Sequence, residues 1–262
     1  MGGGRSPAEK GVSKRGMFKD LRSKFNTAAE IPGFFEVGDG PPDVELYCKS
    51  NKDGNQIGDC PFAQFIQLVL LKKGIRYVVK PTLSNAKPDW LMSKHEGKMP
   101  ALVHKGESMT DSLAIAEYIE KTFPHTSLTR QGAYSYQEVL EKTAEFFPTL
   151  SAYLKSNDDA LKTKMVEQLD LLDEILRSSP GQYLCGIELT LADLYLAPQL
   201  FHAVVAIDHF KDWEVLHYEG DPERPALESY MTRMFDSEEF NDKKAYYNID
   251  AVVNGWKAAR GE

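Results

Sequence analysis

The spacing of apolar residues changes its period near the middle of the chain, and this change constrains the fold more than any other sequence feature. Up to about residue 122, segments with the two-residue alternation of strands are interleaved with segments of helical period. From residue 134 onward nearly every segment has helical period, and no segment predicts a strand. The stretch 123–133 holds Pro124, Gly132 and several Ser and Thr residues, which is typical of a linker. We therefore predict two domains, at residues 43–122 and 134–262.

The first domain is predicted to be α/β. Residues 44–48 alternate and favour a strand, residues 62–73 have helical apolar spacing, and residues 76–79 predict a second strand parallel to the first. A hairpin over 101–109, with its turn at Lys105-Gly106, leads into a helix over 111–121. The order β-α-β followed by β-β-α is that of the thioredoxin fold. The predicted fold class is thus α/β plus all-α.

The second domain is predicted to be all-helical. The helices are expected at residues 139–154, 159–177, 191–209 and 225–235. Thr190 and Asp193 have capping-box spacing at the start of the third of these helices, and we interpret them as structural. His202 and His209 have no partner that the sequence identifies, so we take them as core or surface residues.

Composition excludes several classes of protein. The chain has 31 basic and 39 acidic residues, and a net charge of −8 argues against a broad nucleic-acid surface. Three cysteines are too few for a secreted disulfide scaffold and imply a reducing compartment; no metal site or disulfide framework is required. The sequence contains no run of about 18 uncharged apolar residues, so we do not predict a constitutive membrane span. The best candidate, residues 65–79, is interrupted by charges and favours a buried helix followed by a strand.

Residues 1–42 form a separate N-terminal extension in this interpretation. Its first 25 residues hold seven Lys or Arg residues and two acids, and we expect the extension to be disordered. It resembles the remnant of a transit peptide, an artificial leader or, at Met1 to Ser6, a myristoylation signal. The expected location is the cytoplasm or a plastid.

Cys60 is the strongest candidate for chemistry. It lies between a polar loop and the predicted helix, and Pro61 suits the first helical turn because its missing N–H costs nothing there. A cysteine at a helix N-terminus is stabilised as a thiolate by unpaired N–H groups and the helix dipole. The adjacent Asp59 opposes this effect because its negative charge disfavours the thiolate. Either the helix and Lys49 outweigh Asp59, or Asp59 exchanges a proton when substrate is bound.

The second place of a two-cysteine redox motif is occupied by Ala63, so no disulfide can form there. An oxidised Cys60 must then be resolved by an external thiol, which favours a monothiol cycle with glutathione. The competing interpretation is a buried, inert cysteine beside a helix-starting proline. Cys48 and Cys185 lie among apolar residues and are expected to be inert.

Three further positions predict a ligand cleft. Met99-Pro100 precedes a strand and is a candidate cis peptide, which would turn the backbone of Met99 toward a γ-glutamyl-cysteine backbone. Asp111-Ser112 at a helix start offers either an anion site or an ordinary cap, and the sequence does not decide between them. Lys87 and Lys98 flank the same cleft in this topology, and each is expected to pair with a glutathione carboxylate or lie in solvent.

These motifs resemble a known family. The stretches 57–62 (Ile-Gly-Asp-Cys-Pro-Phe), 96–100 (Glu-Gly-Lys-Met-Pro) and Asp111-Ser112 are similar to the glutathione transferase superfamily, and specifically to the dehydroascorbate reductases and the related chloride intracellular channel proteins. The resemblance covers roughly residues 44–256. The loop 49–57 is similar to the channel-type proteins.

Other stretches favour the reductases. These are residues 87–90 (Lys-Pro-Asp-Trp), the aromatic stretch 209–213, Gly255-Trp256 and the short connection 177–185, where vertebrate channel-type relatives carry a long acidic loop.

The resemblance implies a glutathione-dependent oxidoreductase that recycles ascorbate. In the implied cycle Cys60 attacks dehydroascorbate, ascorbate leaves and a sulfenic acid remains; one glutathione forms a mixed disulfide and a second releases glutathione disulfide. Glutathione is then a co-substrate, no cofactor is tightly bound, and a monomer is expected. By matching positions, glutathione would be held by Lys49, Lys87, Met99, Pro100, Asp111 and Ser112, and dehydroascorbate would contact Lys49 and Asp59.

The alternative function is a channel-type protein that inserts into membranes or acts as a scaffold. Its cysteine would be a redox switch, with glutaredoxin-like oxidoreductase activity. Conventional glutathione transfer to electrophiles is less favoured, because a cysteine forms mixed disulfides with glutathione instead of only lowering the pKa of its thiol.

Overall fold

The computed structural model describes residues 42–211, 213, 215–216, 223–242 and 248–262, together with the backbone of residues 35–37. The expectations for the N-terminal extension therefore lie outside the described residues except at one place. There the backbone of Phe35–Val37 forms a strand that pairs antiparallel with residues 77–79, which the sequence analysis did not predict.

The first domain is built on a five-stranded sheet. Its strands are β1 (Phe35–Val37), β2 (Val44–Lys49), β3 (Tyr77–Thr82), β4 (Ala101–His104) and β5 (Glu107–Thr110). They lie in the order β1-β3-β2-β4-β5, with β2 parallel to β3 and the other pairs antiparallel. The predicted parallel pair and the predicted hairpin are confirmed. Alternation in β2 buries Val44, Leu46 and Cys48, so one face of this strand supports the core.

Three helices belong to this domain: α1 (Pro61–Lys72), α2 (Asp89–His95) and α3 (Ser112–Thr122). Residues 63–70 of α1 are all buried. This helix is apolar on nearly all sides because α3 covers one side and the second domain covers another. The predicted buried helix followed by a strand is confirmed for residues 65–79. In the part of the chain that the structure describes, no helix is both long and apolar enough to cross a membrane.

The described part of the second domain is helical, as predicted. Its helices are α4 (Tyr136–Lys142), α5 (Phe146–Leu154), α6 (Asp159–Ser178), α7 (Leu191–Lys211), α8 (Pro225–Asp236), α9 (Glu238–Asn241) and α10 (Ile249–Arg260). α7 is the central helix, since it packs against α1 of the first domain and against α4, α5, α8 and α10 of its own. It therefore joins the cores of the two domains.

The single helix predicted over residues 139–154 is wrong, because the chain forms α4 and α5 with a turn at 143–145. Pro148 explains the break. It has no N–H to donate to the carbonyl of residue 144, and in a continuous helix its ring would clash with that carbonyl.

Two helices near the site were not predicted. α2 follows Pro88 and ends at His95, and its only buried residue is Leu91, so it has no apolar periodicity to detect. α10 buries residues 249, 252, 253 and 256 at helical spacing, and Asn248 caps it by accepting from the N–H groups of residues 250 and 251. The sequence signal for α10 was therefore present.

The structural interpretation of Thr190 and Asp193 is confirmed. One carboxylate oxygen of Asp193 accepts from the backbone N–H and the hydroxyl of Thr190, both at 2.8 Å. The other oxygen accepts from the N–H of Leu184 at 2.9 Å. Asp193 is fully buried, and burial raises its pKa to about 6. This carboxylate therefore ties the connection before α7 to the start of that helix.

Candidate active site

A tight loop connects β2 to α1 and places Cys60 directly before the first helical residue. Ser50 and Ile57 form an isolated antiparallel bridge, and the N–H of Gly58 donates to the carbonyl of Lys49 at 2.7 Å. A Cβ atom at position 58 would lie 2.6 Å from the carbonyl oxygen of Ser50, so this approach requires glycine. The loop thus returns to the end of β2 before the helix starts.

An ion pair lies beside the cysteine. The Nζ of Lys49 is 2.6 Å from Oδ1 of Asp59. The side chain of Asp59 is 17% exposed and that of Lys49 is 47% exposed, so the pair is reached by solvent mainly from the lysine. The charges of both residues act on the Cys60 thiol. The predicted proximity of Lys49 and Asp59 to the cysteine is therefore present.

Burial raises the pKa of the Cys60 thiol above its ordinary value. The backbone N–H groups of Ala63 and Phe62 lower this pKa, as expected at a helix N-terminus. Asp59 raises it and Lys49 lowers it, both by less than burial does. The helix end therefore acts on Cys60 in the expected direction, while the partial burial of this residue acts against it and is the larger effect.

This environment predicts a specific pH dependence for alkylation of Cys60 by iodoacetamide. Only the thiolate reacts, so the rate constant should rise about tenfold per pH unit through the neutral range. It should level off only above the ordinary thiol pKa of 9.0. Asp59→Asn should lower the midpoint and Lys49→Gln should raise it, because each substitution removes one charge beside the thiol.

Mass spectrometry of the alkylated peptides identifies the site. Burial raises the pKa of Cys48, and raises that of Cys185 to about 11, so neither thiol should compete. A Cys60 midpoint below pH 8 would contradict the dominance of burial.

Strand register brings the other predicted residues to the same edge of the sheet. Tyr47 pairs with Ala101, and Ala101 pairs with Thr110. Met99 precedes β4 and Asp111 follows β5, so both lie at the edge where β2 ends and the loop to Cys60 begins. The elements therefore place a backbone segment and a helix start next to the cysteine-bearing helix.

The predicted cis peptide bond between Met99 and Pro100 is present. Pro100 is buried, and Met99 is partly exposed. Lys87 reaches this segment, because its Nζ donates to the carbonyl oxygen of Gly97 at 2.7 Å. Lys87 thus holds the turn before the cis bond and remains partly exposed.

Asp111 caps α3, with one carboxylate oxygen accepting from the N–H groups of Leu113 and Ala114 at 3.1 and 3.0 Å. Ordinary capping is therefore present at this position. Asp111 also has a φ of 72°, which is uncommon for a residue with a side chain and occurs often at ligand sites. Ser112 is buried as the first residue of the helix. Asp111 therefore acts as the helix cap. Binding of an anion by Asp111 and Ser112 stays a prediction.

The residues that α7 and α10 bring to the site were not predicted from the sequence. His202 is a core residue, 1% exposed, and it has a partner: its Nδ1 accepts from Nε1 of Trp256 at 3.1 Å. Phe147 contacts both rings, with centroids 6.1 Å from His202 and 6.0 Å from Trp256. Burial lowers the pKa of His202 to about 4, while the charge of Asp59 opposes this shift. This aromatic group therefore lies close to Asp59 on the second-domain side.

A cavity of about 860 Å³ opens between the β2–α1 loop, residues 83–85 and α10. Lys49 and Asp59 form part of its wall, whereas Cys60 and the other predicted glutathione-binding residues do not line it. A cysteine sulfur at a helix start, with an ion pair beside it, can support thiol–disulfide exchange with a small polar substrate.

The order of the two domains and the cysteine at the start of α1 define a protein of the glutathione transferase class. Residues 42–125 match the family model of a CLIC-like N-terminal domain, and residues 133–233 match that of a glutathione S-transferase C-terminal domain. A crystal structure of Chlamydomonas reinhardtii dehydroascorbate reductase has a TM-score of 0.70 and 29% sequence identity, covering 82% of this chain and 98% of its own.

Two Arabidopsis thaliana proteins are similar over most of the chain. Glutathione S-transferase DHAR2 is 31% identical over 227 residues, which is 85% of this chain and 95% of the relative. The chloroplastic glutathione S-transferase DHAR3 is 27% identical over 250 residues, which is 94% of this chain and 91% of the relative. The chain therefore belongs to the dehydroascorbate reductase (DHAR) family of glutathione S-transferases.

Proposed function

We propose that this protein reduces dehydroascorbate to ascorbate with glutathione, through Cys60 as its only redox-active thiol. The observation that carries the proposal is the placement of Cys60 at the N-terminus of α1 with Ala63 in the resolving position and the Lys49–Asp59 pair beside it. The DHAR relatives support the same reaction. The channel-type alternative is favoured only by the N-terminal family model and by the similarity of the loop 49–57.

The proposed cycle has three steps. The Cys60 thiolate attacks a carbonyl carbon of dehydroascorbate and forms a C–S bond. Water then attacks the sulfur, and the C–S bond breaks with its electron pair passing to the carbon, so that ascorbate leaves and the cysteine becomes a sulfenic acid. The first glutathione thiol displaces this hydroxyl as water and forms a mixed disulfide. A second glutathione thiolate attacks the glutathione sulfur, which releases glutathione disulfide and returns Cys60 to the thiolate.

Asp59 accepts the thiol proton in this proposal. The raised pKa of Cys60 means that little thiolate exists at neutral pH, so attack requires a nearby base. Asp59 is adjacent in sequence and paired with Lys49, which moderates its charge until the proton moves. The positive charge of Lys49 then also stabilises the negative charge on the enediol oxygen of the departing ascorbate.

Glutathione is a co-substrate held at the sheet edge. The backbone of Met99 pairs with its cysteinyl residue in the manner of an added strand, and the start of α3 at Asp111 and Ser112 receives the γ-glutamyl end. Lys87 is directed toward the turn before Met99 and meets the glycyl carboxylate. We propose a monomer in the cytoplasm or a plastid; the chloroplastic relative supports the second location.

The test is a steady-state assay in which dehydroascorbate and glutathione are both varied. We expect one glutathione disulfide for each ascorbate formed, with parallel double-reciprocal lines, because the oxidised enzyme is released from one substrate before glutathione reacts. No ascorbate above the uncatalysed rate would contradict the proposal.

A further inference from the structure

Gly255 lies in the middle of α10, and its backbone is so close to the carboxylate of Asp59 that no side chain would fit at position 255. A Cβ atom at position 255 would lie 1.7 Å from Oδ2 and 2.2 Å from Cγ of Asp59. The other carboxylate oxygen of Asp59 meets the Nζ of Lys49 at 2.6 Å. The carboxylate is therefore held between the backbone of α10 on one side and a lysine on the other.

The helix itself is fixed at this level. Trp256, the next residue, is 6% exposed, and its indole N–H donates to His202 of α7 at 3.1 Å. One turn further on, a guanidinium N–H of Arg260 donates to the carbonyl of Leu154 in α5. Because α10 is attached to two helices of the core, an added methyl group at Gly255 would displace the Asp59 side chain rather than the helix.

Ordinary helix chemistry does not explain a glycine at this position. Glycine is less favourable than alanine inside a helix, and Gly255 has no left-handed backbone that would require it. The three heavy atoms nearest to the position of the missing Cβ all belong to the Asp59 side chain.

We propose that Gly255 is a positioning residue, which sets the distance of the Asp59 carboxylate from Lys49 and Cys60 and so acts on catalysis through Asp59. This inference rests on the proposed function, in which Asp59 accepts the proton of Cys60. α10 then forms part of the catalytic arrangement although it contributes no reacting group.

The test is a cycle of four proteins: wild type, Gly255→Ala, Asp59→Ala and the double variant. We expect Gly255→Ala to lower kcat by about tenfold, with the KM for glutathione within about twofold of wild type, because misplacing one catalytic group affects the chemical step. In the Asp59→Ala background the same substitution should change kcat by less than about twofold, because the group it displaces is absent. Ala259→Ser, at an exposed position of the same helix, is the control and should behave as wild type.

The pH dependence of Cys60 alkylation gives a readout that does not require reductase activity. Gly255→Ala should shift the midpoint when Asp59 is present and should not shift it in the Asp59→Ala background. If wild type shows no reductase activity, the proposed function fails while this measurement still tests the positioning role. Should Gly255→Ala fail to fold, recovery of a folded protein in the double variant would support the contact, and failure of both would overturn it. The inference is also overturned by wild-type kcat in Gly255→Ala, or by an equal loss in the Asp59→Ala background.

Discussion

Replacing Cys60 by serine should abolish glutathione-dependent reduction of dehydroascorbate, lowering kcat by about 1,000-fold or more. A serine hydroxyl can neither form a sulfenic acid nor exchange with a disulfide, so each oxidised state of the cycle is lost. The substitution should not destabilise the protein. Cys60 is the N-cap of α1 and makes no capping hydrogen bond with its side chain, whereas serine is a preferred N-cap residue.

The controls are the other two cysteines. Cys48 and Cys185 are buried, so Cys48→Ala and Cys185→Ala should retain wild-type turnover when compared at equal folded concentration. Thermal unfolding of Cys60→Ser alongside wild type separates loss of chemistry from loss of fold. Turnover close to wild type in Cys60→Ser would exclude the monothiol cycle.

The largest expected effect on stability comes from Asp193→Ala. The substitution leaves the N–H groups of Leu184 and Thr190 and the Thr190 hydroxyl without the acceptor they share. These donors are buried, so we expect the free energy of unfolding at pH 7 to fall by about 3 kcal/mol or more. Urea titration followed by circular dichroism measures the change.

The control for this prediction is Glu167→Ala, at an exposed position of α6, which should change stability by no more than about 0.5 kcal/mol. The pKa of Asp193 is raised from 3.8 to about 6, so the folded state binds more protons than the unfolded state between these values. Wild type should therefore lose stability from this group as the pH rises from 3.8 to about 6, and Asp193→Ala should lack that slope. An equal loss of stability in Asp193→Ala and Glu167→Ala would contradict the capping role of Asp193.

The parts of the fold that were predicted are those with a local signal. β2 alternates in hydrophobicity, the hairpin has a turn signal at Lys105-Gly106, and α1 combines helical spacing with a starting proline, so their type follows from a few consecutive residues. α2 was missed because one buried residue, Leu91, gives no period. The break before α5 depends on a single residue, Pro148, in an otherwise helical pattern.

The candidate site divides in the same way. Asp59 and Cys60 are consecutive, and their association needs no knowledge of the fold. Asp59 contacts Gly255, and His202 contacts Trp256, although the two residues of each pair are far apart in sequence. The residues around each position do not predict these contacts. The direction of the Cys60 pKa shift could not be predicted from the sequence either. Burial is its largest cause, and burial depends on how the two domains pack.

The measurement that tests the central claim most directly is a single turnover followed by mass spectrometry. Reduced protein is mixed with excess dehydroascorbate, freed of small molecules, given one equivalent of glutathione and quenched in acid. We predict one ascorbate released per chain in the first step, and one glutathione attached per chain afterwards, with the adduct mapped to Cys60. Attachment at Cys48 or Cys185, or turnover without any protein–glutathione adduct, would contradict the account.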